Sequence, residues 1–322
     1  MNSTPLVSVG IPTYNRPEGV KRTLECITTQ TYRNLEIIVS DNCSPSMDSM
    51  RILSEFEGKD SRIKVFRQKK NLGSFPNFNF VLRQATGKYF IWAADDDELE
   101  NSYIERCVNQ LEKLGEKYIA CMMEAQYFWK NKRYRYFPEG APFYTYFEPN
   151  RFRRIIYILN NQHGNLFYSV FRRDALFECG RTIYEIVNMK SINEIFIFLY
   201  VSRNGNWLTL PNIGWYKQAL KPAVEQAKWE KGGGNLPTSS WIAHFRSLPY
   251  FFRYHYYSLK DIFVITPHLG LDFFHRNILR IYTLLFVAIH FCLFVMRKRP
   301  KLSDVHYCFG LRSYTRNQGK TK

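Results

Sequence analysis

The 322-residue chain has seven cysteines (Cys26, Cys43, Cys107, Cys121, Cys179, Cys292 and Cys308) but no C-x-x-C pair and no close Cys/His cluster. That excludes the common zinc modules and predicts reduced thiols in a cytosolic protein. Met1 to Leu6 lacks a basic segment followed by an apolar stretch, so no secretory leader is expected and the cytoplasmic side follows. Glycine (17) and proline (14) are too few for a collagen-like or low-complexity chain, and no internal repeat is present. Acid is scarce in one place. Residues 240–322 hold 13 Lys and Arg against 3 Asp and Glu, whereas residues 1–239 hold 32 against 25. Most of the net charge of +17 therefore sits in the last quarter.

What is present is a core. Hydrophobic residues make up 45% of the chain, enough to bury a sizeable interior. The runs Leu6 to Ile11 and Leu35 to Ser40 read as buried parallel strands, each stopped by a polar loop. Between them Val20, Leu24 and Ile27 have helical spacing, which predicts a β-α-β unit with ligands at the carboxyl ends of its strands. The alternation continues with helices near 48–56, 77–85 and 102–114 and strands at 63–67, 89–93 and 118–125. Residues 127–146 have no clean period and are read as strand and loop. Further along, a strand is expected over Leu166 to Arg172, a helix over Ser191 to Ser202, and a short strand at Trp207 to Leu210 ended by Pro211. Gly232, Gly233 and Gly234 mark a linker or lid.

The strand at 89–93 ends in Asp95-Asp96-Asp97. Three adjacent carboxylates repel one another unless a cation or several donors neutralise them. Oxygen donors of this kind suit Mn²⁺ or Mg²⁺ completed by phosphate oxygens and water. The alternative is an acidic loop opening a helix, where Asp is favoured anyway.

The residues around these acids decide between the readings. Val7 to Pro17 (VSVGIPTYNRP) resembles the opening of family 2 glycosyltransferases of the GT-A fold. In order and spacing, Ile37 to Ser44 (IIVSDNCS), Asn71-Leu72-Gly73, Ala85 to Phe90 (ATGKYF) and Trp92 to Leu99 (WAADDDEL) are similar to the same family. Leu166 to Ala175 and the stretch from Asn193 to Lys217 extend the likeness to about residues 5–218. The resemblance implies an α/β domain over 1–218, a Rossmann-like, mostly parallel sheet flanked by helices. A Gly-rich linker over 219–239 and a basic, aromatic helical extension over 240–322 follow it.

The resemblance also implies roles. Pro12, Tyr14 and Arg16 would lie around the nucleotide, with Asp41 hydrogen-bonded to the base. A carboxylate accepts the N3–H of uracil or thymine, which favours a UDP-sugar, then a dTDP-sugar, over a CDP-sugar. Capping of its own loop is the other reading of Asp41. The family's D-x-D-D is here Ala94-Asp95-Asp96-Asp97, so Asp96 and Asp97 match the acids nearest the metal and Asp95 stands in for the carboxylate that reaches the ribose. Glu194, heading an apolar helix with Asn193 in place of the first acid of a pair, is the candidate general base; a structural helix-terminal Glu is the alternative. Lys88, Lys217 and His163 are further candidates for contacts to the diphosphate or acceptor.

From Trp241 to Lys260 aromatic rings alternate with cations, and Ile281 to Met296 carries no formal charge between Arg280 and Arg297. At about 1.5 Å per residue that run is shorter than a bilayer core of roughly 30 Å. It is read as a helix lying in a membrane surface, with a single span or a buried helix as alternatives. Nucleic acid is excluded as a partner because such an apolar run gains nothing from it. The expected activity is an inverting, metal-dependent transfer from a nucleotide-sugar to a saccharide, lipid-linked or part of a surface polysaccharide precursor, at the cytoplasmic face of the cell membrane. The competing classes are a catalytically inactive nucleotide-sugar-binding protein and a peripheral membrane scaffold.

Overall fold

The computed structural model describes residues 4–129, 132–135, 147–161, 164–187, 195–218, 266–282 and 284. They fall into two compact units, one from 1–147, 165–192 and 204–220, the other from 148–164, 193–203 and 221–322.

The first unit is built on one mixed sheet. Four of its strands, β1 (Val7–Thr13), β2 (Leu35–Asp41), β3 (Ile63–Arg67) and β4 (Tyr89–Trp92), form one parallel run. Helices α1 (Pro17–Thr28), α2 (Asp48–Lys59) and α3 (Ser74–Gln84) connect them, and β5 (Glu98–Leu99) with α4 (Tyr103–Leu114) follows. Then come β6 (Tyr118–Trp129), β7 (Lys132–Arg135), β8 (Val170–Arg172) and β11 (Asn206–Gln218), while β9 (Phe177–Glu178) and β10 (Arg181–Thr182) form a separate small ribbon. The order is β3-β2-β1-β4-β8-β6-β11-β5, with β7 on the edge of β6. Every residue of β1 and β2 is buried, the reason both read as continuous runs instead of alternating patterns. On α1, Val20, Leu24 and Ile27 recur at helical spacing and are fully buried, and Pro17 opens the helix where its missing N–H costs nothing.

Two of the sequence motifs turn out to be clasps between elements. Glu36 of β2 is buried, and its Oε1 accepts hydrogen bonds from Ser8 Oγ (2.5 Å), Thr86 N (2.6 Å), Thr86 Oγ1 (2.8 Å) and Gly87 N (3.1 Å). A Cβ on Gly87 would lie 2.7 Å from the Leu6 carbonyl oxygen, so the Thr-Gly pair is needed for the backbone to approach this closely. Arg172 donates to the carbonyls of Tyr118 (2.8 Å), Leu111 (2.6 Å) and Gly115 (2.9 Å), joining β8, β6 and the end of α4.

The Glu36 clasp gives the fold an acid limit. Burial favours the neutral carboxyl, but the donors from Ser8, Thr86 and Gly87 outweigh it and hold Glu36 below the ordinary value of 4.5. A group whose folded pKa is depressed stabilises fully above its unfolded value and loses that contribution as pH falls through the folded one. Stability should therefore drop as the pH is lowered past 4.5, and Glu36→Gln should flatten that dependence. Urea titrations of both proteins between neutral and acid pH check it; parallel curves would remove Glu36 from the account.

Two expectations are corrected. Over Leu166 to Arg172 only Val170–Arg172 is strand, because Gly164–Tyr168 coils into a 3₁₀ turn. That turn keeps the rings of Phe167 and Tyr168 5.4 Å apart, on Trp92 and Trp215 respectively; a strand would send them to opposite faces. The strand expected to stop at Pro211 instead runs from Asn206 to Gln218 beside β6. Its register slips between Leu210 and Ile213, and Pro211 sits in that bulge, where no ladder N–H is required. Beyond β6, the 127–146 stretch is strand to Trp129 and again over β7, and residues 136–146 lie outside the described residues.

The described part of the second unit is helical: α5 (Arg151–Asn161), α7 (Ile195–Ser202), a 3₁₀ turn at Thr266–Leu269 and α8 over residues 273–282. A short α6 (Ile183–Val187) belongs to the first unit. Buried Arg154 donates to the carbonyls of Ser202 (2.5 Å), Glu148 (2.6 Å) and Arg203 (3.1 Å), satisfying the open carbonyl end of α7. The expected helix over 191–202 is described only from Ile195. The glycine stretch 232–234, the aromatic segment 241–260 and residues 285–296 lie outside the described residues. Among those described, no helix is long and apolar enough to cross a membrane.

Candidate active site

The loops at the carboxyl ends of β1, β2 and β4 border a cleft of about 570 Å³. Pro12, Thr13, Tyr14 and Arg16 line it from β1, Asn42 from β2, and Ala94 to Asp97 from β4. Asn71, Gly73, Ser74, Asn77 and Phe78 complete one wall, and Tyr168 adds a ring.

The acidic turn is held by its backbone. Thr23 Oγ1 of α1 donates to the carbonyls of Ala94 (2.9 Å) and Asp97 (3.2 Å). A Cβ at position 19 would lie 2.2 Å from the Asp95 carbonyl oxygen, so only Gly19 lets α1 come this near. With its backbone fixed, the turn presents its side chains to the cleft. Thr13 Oγ1 donates to Asp95 Oδ2 (2.8 Å), and Arg16 hydrogen-bonds Asp96 while its Nη1 lies 3.5 Å from Asp95 Oδ1. Burial pushes the Asp95 carboxyl up to about 6, against the opposing pull of the Thr13 hydrogen bond and the Arg16 charge. Burial works to lower the Arg16 pKa, but Asp95 and Asp96 outweigh it and raise it.

Among the described residues no three His, Cys, Asp or Glu side chains converge on one point as a complete metal cage. The donor chemistry nevertheless fits a hard divalent cation, with consecutive carboxylates at the rim of a cleft wide enough for phosphate oxygens and water to supply the remaining ligands.

This geometry joins the sequence motifs into one place. Asn42 accepts from Leu72 N (2.9 Å) and donates to Asn71 Oδ1 (3.0 Å) and the Gly73 carbonyl (2.9 Å), so the β2 motif holds the Asn71-Leu72-Gly73 turn. Residues 8–180 match the family described as Glycosyl transferase family 2. The chain belongs to glycosyltransferase family 2. It is 39% identical over 113 residues to an uncharacterised glycosyltransferase of Haemophilus influenzae, covering 35% of each protein. Over 96 residues it is 38% identical to the GalNAc(5)-diNAcBac-PP-undecaprenol beta-1,3-glucosyltransferase of Campylobacter jejuni, covering 30% of this chain and 31% of that one. The match thus spans about a third of the length of these two relatives. TarS of S. aureus, residues 1–349 in complex with UDP-GlcNAc, superposes with a TM-score of 0.60 at 15% identity, over 92% of this chain and 78% of that one. The shared fold is GT-A.

Within this family 2 domain, Pro12, Tyr14, Arg16, Asp95, Asp96 and Asp97 all line the cleft. Asp41 does not reach it. Its carboxylate is fully buried, accepts hydrogen bonds from Ser44 N (3.0 Å) and Ser44 Oγ, and lies 3.6 Å from Arg67 Nε. Ser44 Oγ in turn accepts from Asn15 N (2.7 Å), and Asn15 has the left-handed φ of 54° that turns the chain between Tyr14 and Arg16. Asp41 thus caps its own loop and, through Ser44, holds the loop that carries the cleft residues. Lys88 pairs with Glu112 (2.6 Å) at the opposite end of β4, away from the cleft. Glu194, Asn193, His163 and the side chain of Lys217 lie outside the described residues.

Sequence reasoning missed Asn77, Phe78 and Tyr168. Asn77 is locked in place, accepting from Ser40 Oγ (2.6 Å) and donating to the Ser40 carbonyl (2.9 Å). The Asn71-Leu72-Gly73 motif was the one available signal for this wall. Phe78 and Tyr168 reach the cleft through folding alone.

Proposed function

We propose that this chain transfers a sugar from a UDP-sugar, or secondarily a dTDP-sugar, to a saccharide hydroxyl with inversion at the anomeric carbon. The observation that carries the reading is the Asp95-Asp96-Asp97 turn, fixed by Thr23 and Gly19 and opening into a cleft at the strand ends. The TarS structures with UDP and UDP-GlcNAc supply the choice of nucleotide, and the Campylobacter relative supplies that of a lipid-linked acceptor.

In this reading Tyr14 and Pro12 border the nucleoside, and Asp95, oriented by Thr13, faces the ribose. Asp96 and Asp97 are the residues that would hold Mn²⁺ or Mg²⁺. When bound, such an ion would supply positive charge to offset that developing on the departing nucleoside diphosphate. Arg16, next to the same carboxylates, supplies a second positive charge at that end of the cleft. Glu194 takes the proton of the acceptor hydroxyl as its oxygen bonds to the anomeric carbon, while the bond to the β-phosphate oxygen breaks and its electron pair leaves with the diphosphate.

A panel of nucleotide-sugars incubated with the chain and Mn²⁺ tests the reading. Turnover of a UDP-sugar supports it; donor binding without turnover favours the inactive binding protein, which Ala94 and Asn193 suggest; no binding leaves the scaffold. Glu194→Gln should keep donor affinity and lower turnover by about 10²-fold or more, and near wild-type turnover would move the base elsewhere.

A further inference from the structure

The second unit carries an apolar surface that the transferase reading does not use. Its helix α8 opens on a capping carboxylate: Asp272 accepts from His275 N (2.8 Å) and lies 2.6 Å from His275 Nδ1. Leu279 of α8 is completely buried and marks the face that packs inward. The opposite face is apolar too. Phe273 is 77% exposed, Phe274 68%, Ile281 55% and Leu284, also helical, 45%.

At about 100° per residue, Leu284, Asn277, Ile281 and Phe274 all fall within roughly 100° of Phe273, on an arc centred opposite Leu279. Arg276 and Arg280 border that arc on one side. The other exposed large apolar residues among those described include Tyr14, Met47, Leu72 and Phe147, scattered through the first unit. Single exposed apolar side chains are ordinary; four large ones sharing one helix face mark an interaction surface.

We infer that α8 docks on an anionic lipid surface, inserting Phe273, Phe274, Ile281 and Leu284 among the acyl chains while Arg276 and Arg280 meet the headgroups. Charge selects this occupant. Residues 240–322 carry 13 cations and 3 acids, and the chain as a whole +17, so a second copy would bring like charge against like. An anionic leaflet gains about 1 kcal/mol from each nearby Lys or Arg and accepts the aromatic rings at its interface. Such a position suits the lipid-linked acceptor of the proposed transfer, but the inference rests on α8 and not on that acceptor.

Flotation of the full chain with vesicles of phosphatidylcholine alone, or mixed with phosphatidylglycerol, tests it. The chain should float with the anionic vesicles at least about tenfold better than with the neutral ones. The double variant Phe273→Ser/Phe274→Ser should lose at least about tenfold of that binding, and Phe273→Leu/Phe274→Leu should keep it. Arg276→Glu, at the edge of the face, should weaken binding to anionic vesicles alone. UDP-sugar turnover in vesicle-free buffer is read on every variant and should not change, which keeps a failure of α8 apart from a failure of the transferase reading. A full chain that floats with neither vesicle overturns the inference. So does undiminished flotation of the Ser pair, which would move attachment to another segment, or a dimer in sedimentation that the Ser pair dissolves.

Discussion

Asp96→Asn and Asp97→Asn should each lower sugar transfer by about 10²–10³-fold and remove the metal dependence of UDP binding, with the far-UV circular dichroism unchanged. The substitution keeps shape and removes only charge, and the turn is held by its backbone through Thr23 and the close approach of Gly19 rather than by those carboxylates. The two variants should also differ. Asp96 hydrogen-bonds Arg16, so removing its charge loosens that guanidinium towards the diphosphate and should leave some metal-independent UDP affinity, whereas loss of Asp97, the more buried carboxylate of the cleft, should not. Calorimetric titration of UDP with Mn²⁺ and with EDTA distinguishes them. Full activity of both variants in EDTA would end the assignment of these carboxylates to a cation.

The largest expected loss of stability comes from Trp92→Ala, at about 3–5 kcal/mol. Trp92 is completely buried at the end of β4, stacked on Phe167 (4.5 Å between ring centroids) and in edge contact with Phe90 (4.7 Å) and Phe171 (5.7 Å). Its Nε1–H donates to the Phe78 carbonyl (3.2 Å), so one side chain joins the strand that ends in the acids to the helix that forms the facing wall. For a 322-residue chain the loss corresponds to a fall in Tm of roughly 4–8 °C. Trp92→Phe should cost less, since most of the ring contact is kept. Thermal unfolding of both variants, with UDP titrations at a temperature where each is folded, measures the stability and cleft effects separately. A change below about 1 kcal/mol for the alanine variant would show that the neighbouring rings close over the gap.

The parallel half of the sheet was legible because burial on both faces leaves its mark directly in the sequence. Val7 to Ile11 and Leu35 to Val39 have no exposed side to mask the pattern. The later, mixed half, where β8 runs antiparallel to β4 and β6 while β11 runs parallel to β6, was not, since its course depends on partners remote in sequence. Pro211 is a strand breaker on local rules, yet β11 continues past it because the slip in register against β6 needs no N–H at that position. Likewise Leu166 to Tyr168 has strand-like composition, and only the rings of Trp92 and Trp215 coil it into a turn.

The candidate site was read in two ways. The acids after β4 and the Pro12 to Arg16 loop were recognisable as motifs, and the cleft brings them together. Asp41 was recognisable as a motif too, but motif likeness does not tell a carboxylate that faces a ligand from one that accepts Ser44 and steadies the neighbouring loop. Lys88 illustrates the same limit: its distance from the acids in sequence is small, but a strand of four residues carries it to the other end of the sheet.

The pairing of β5 with β11 bears on how the cleft is made during synthesis. Leu99 and Glu98, just after the acidic turn, pair with Trp215 and Tyr216, more than a hundred residues later in the chain. At roughly 5–20 residues per second, a ribosome needs on the order of 5–25 s to produce that partner after β5 has emerged. Throughout that interval β1 to β4 can already pair, and Thr23, Gln30 and Thr31 can already hold the carbonyls of Asp97, Glu100 and Asn101, but β5 itself has no strand to pair with. Nascent chains arrested before Trp215 would therefore carry every nucleotide motif with the acidic turn held on α1 and β5 still unpaired, and the β5 side of the site would mature in a single late step when the last strand arrives.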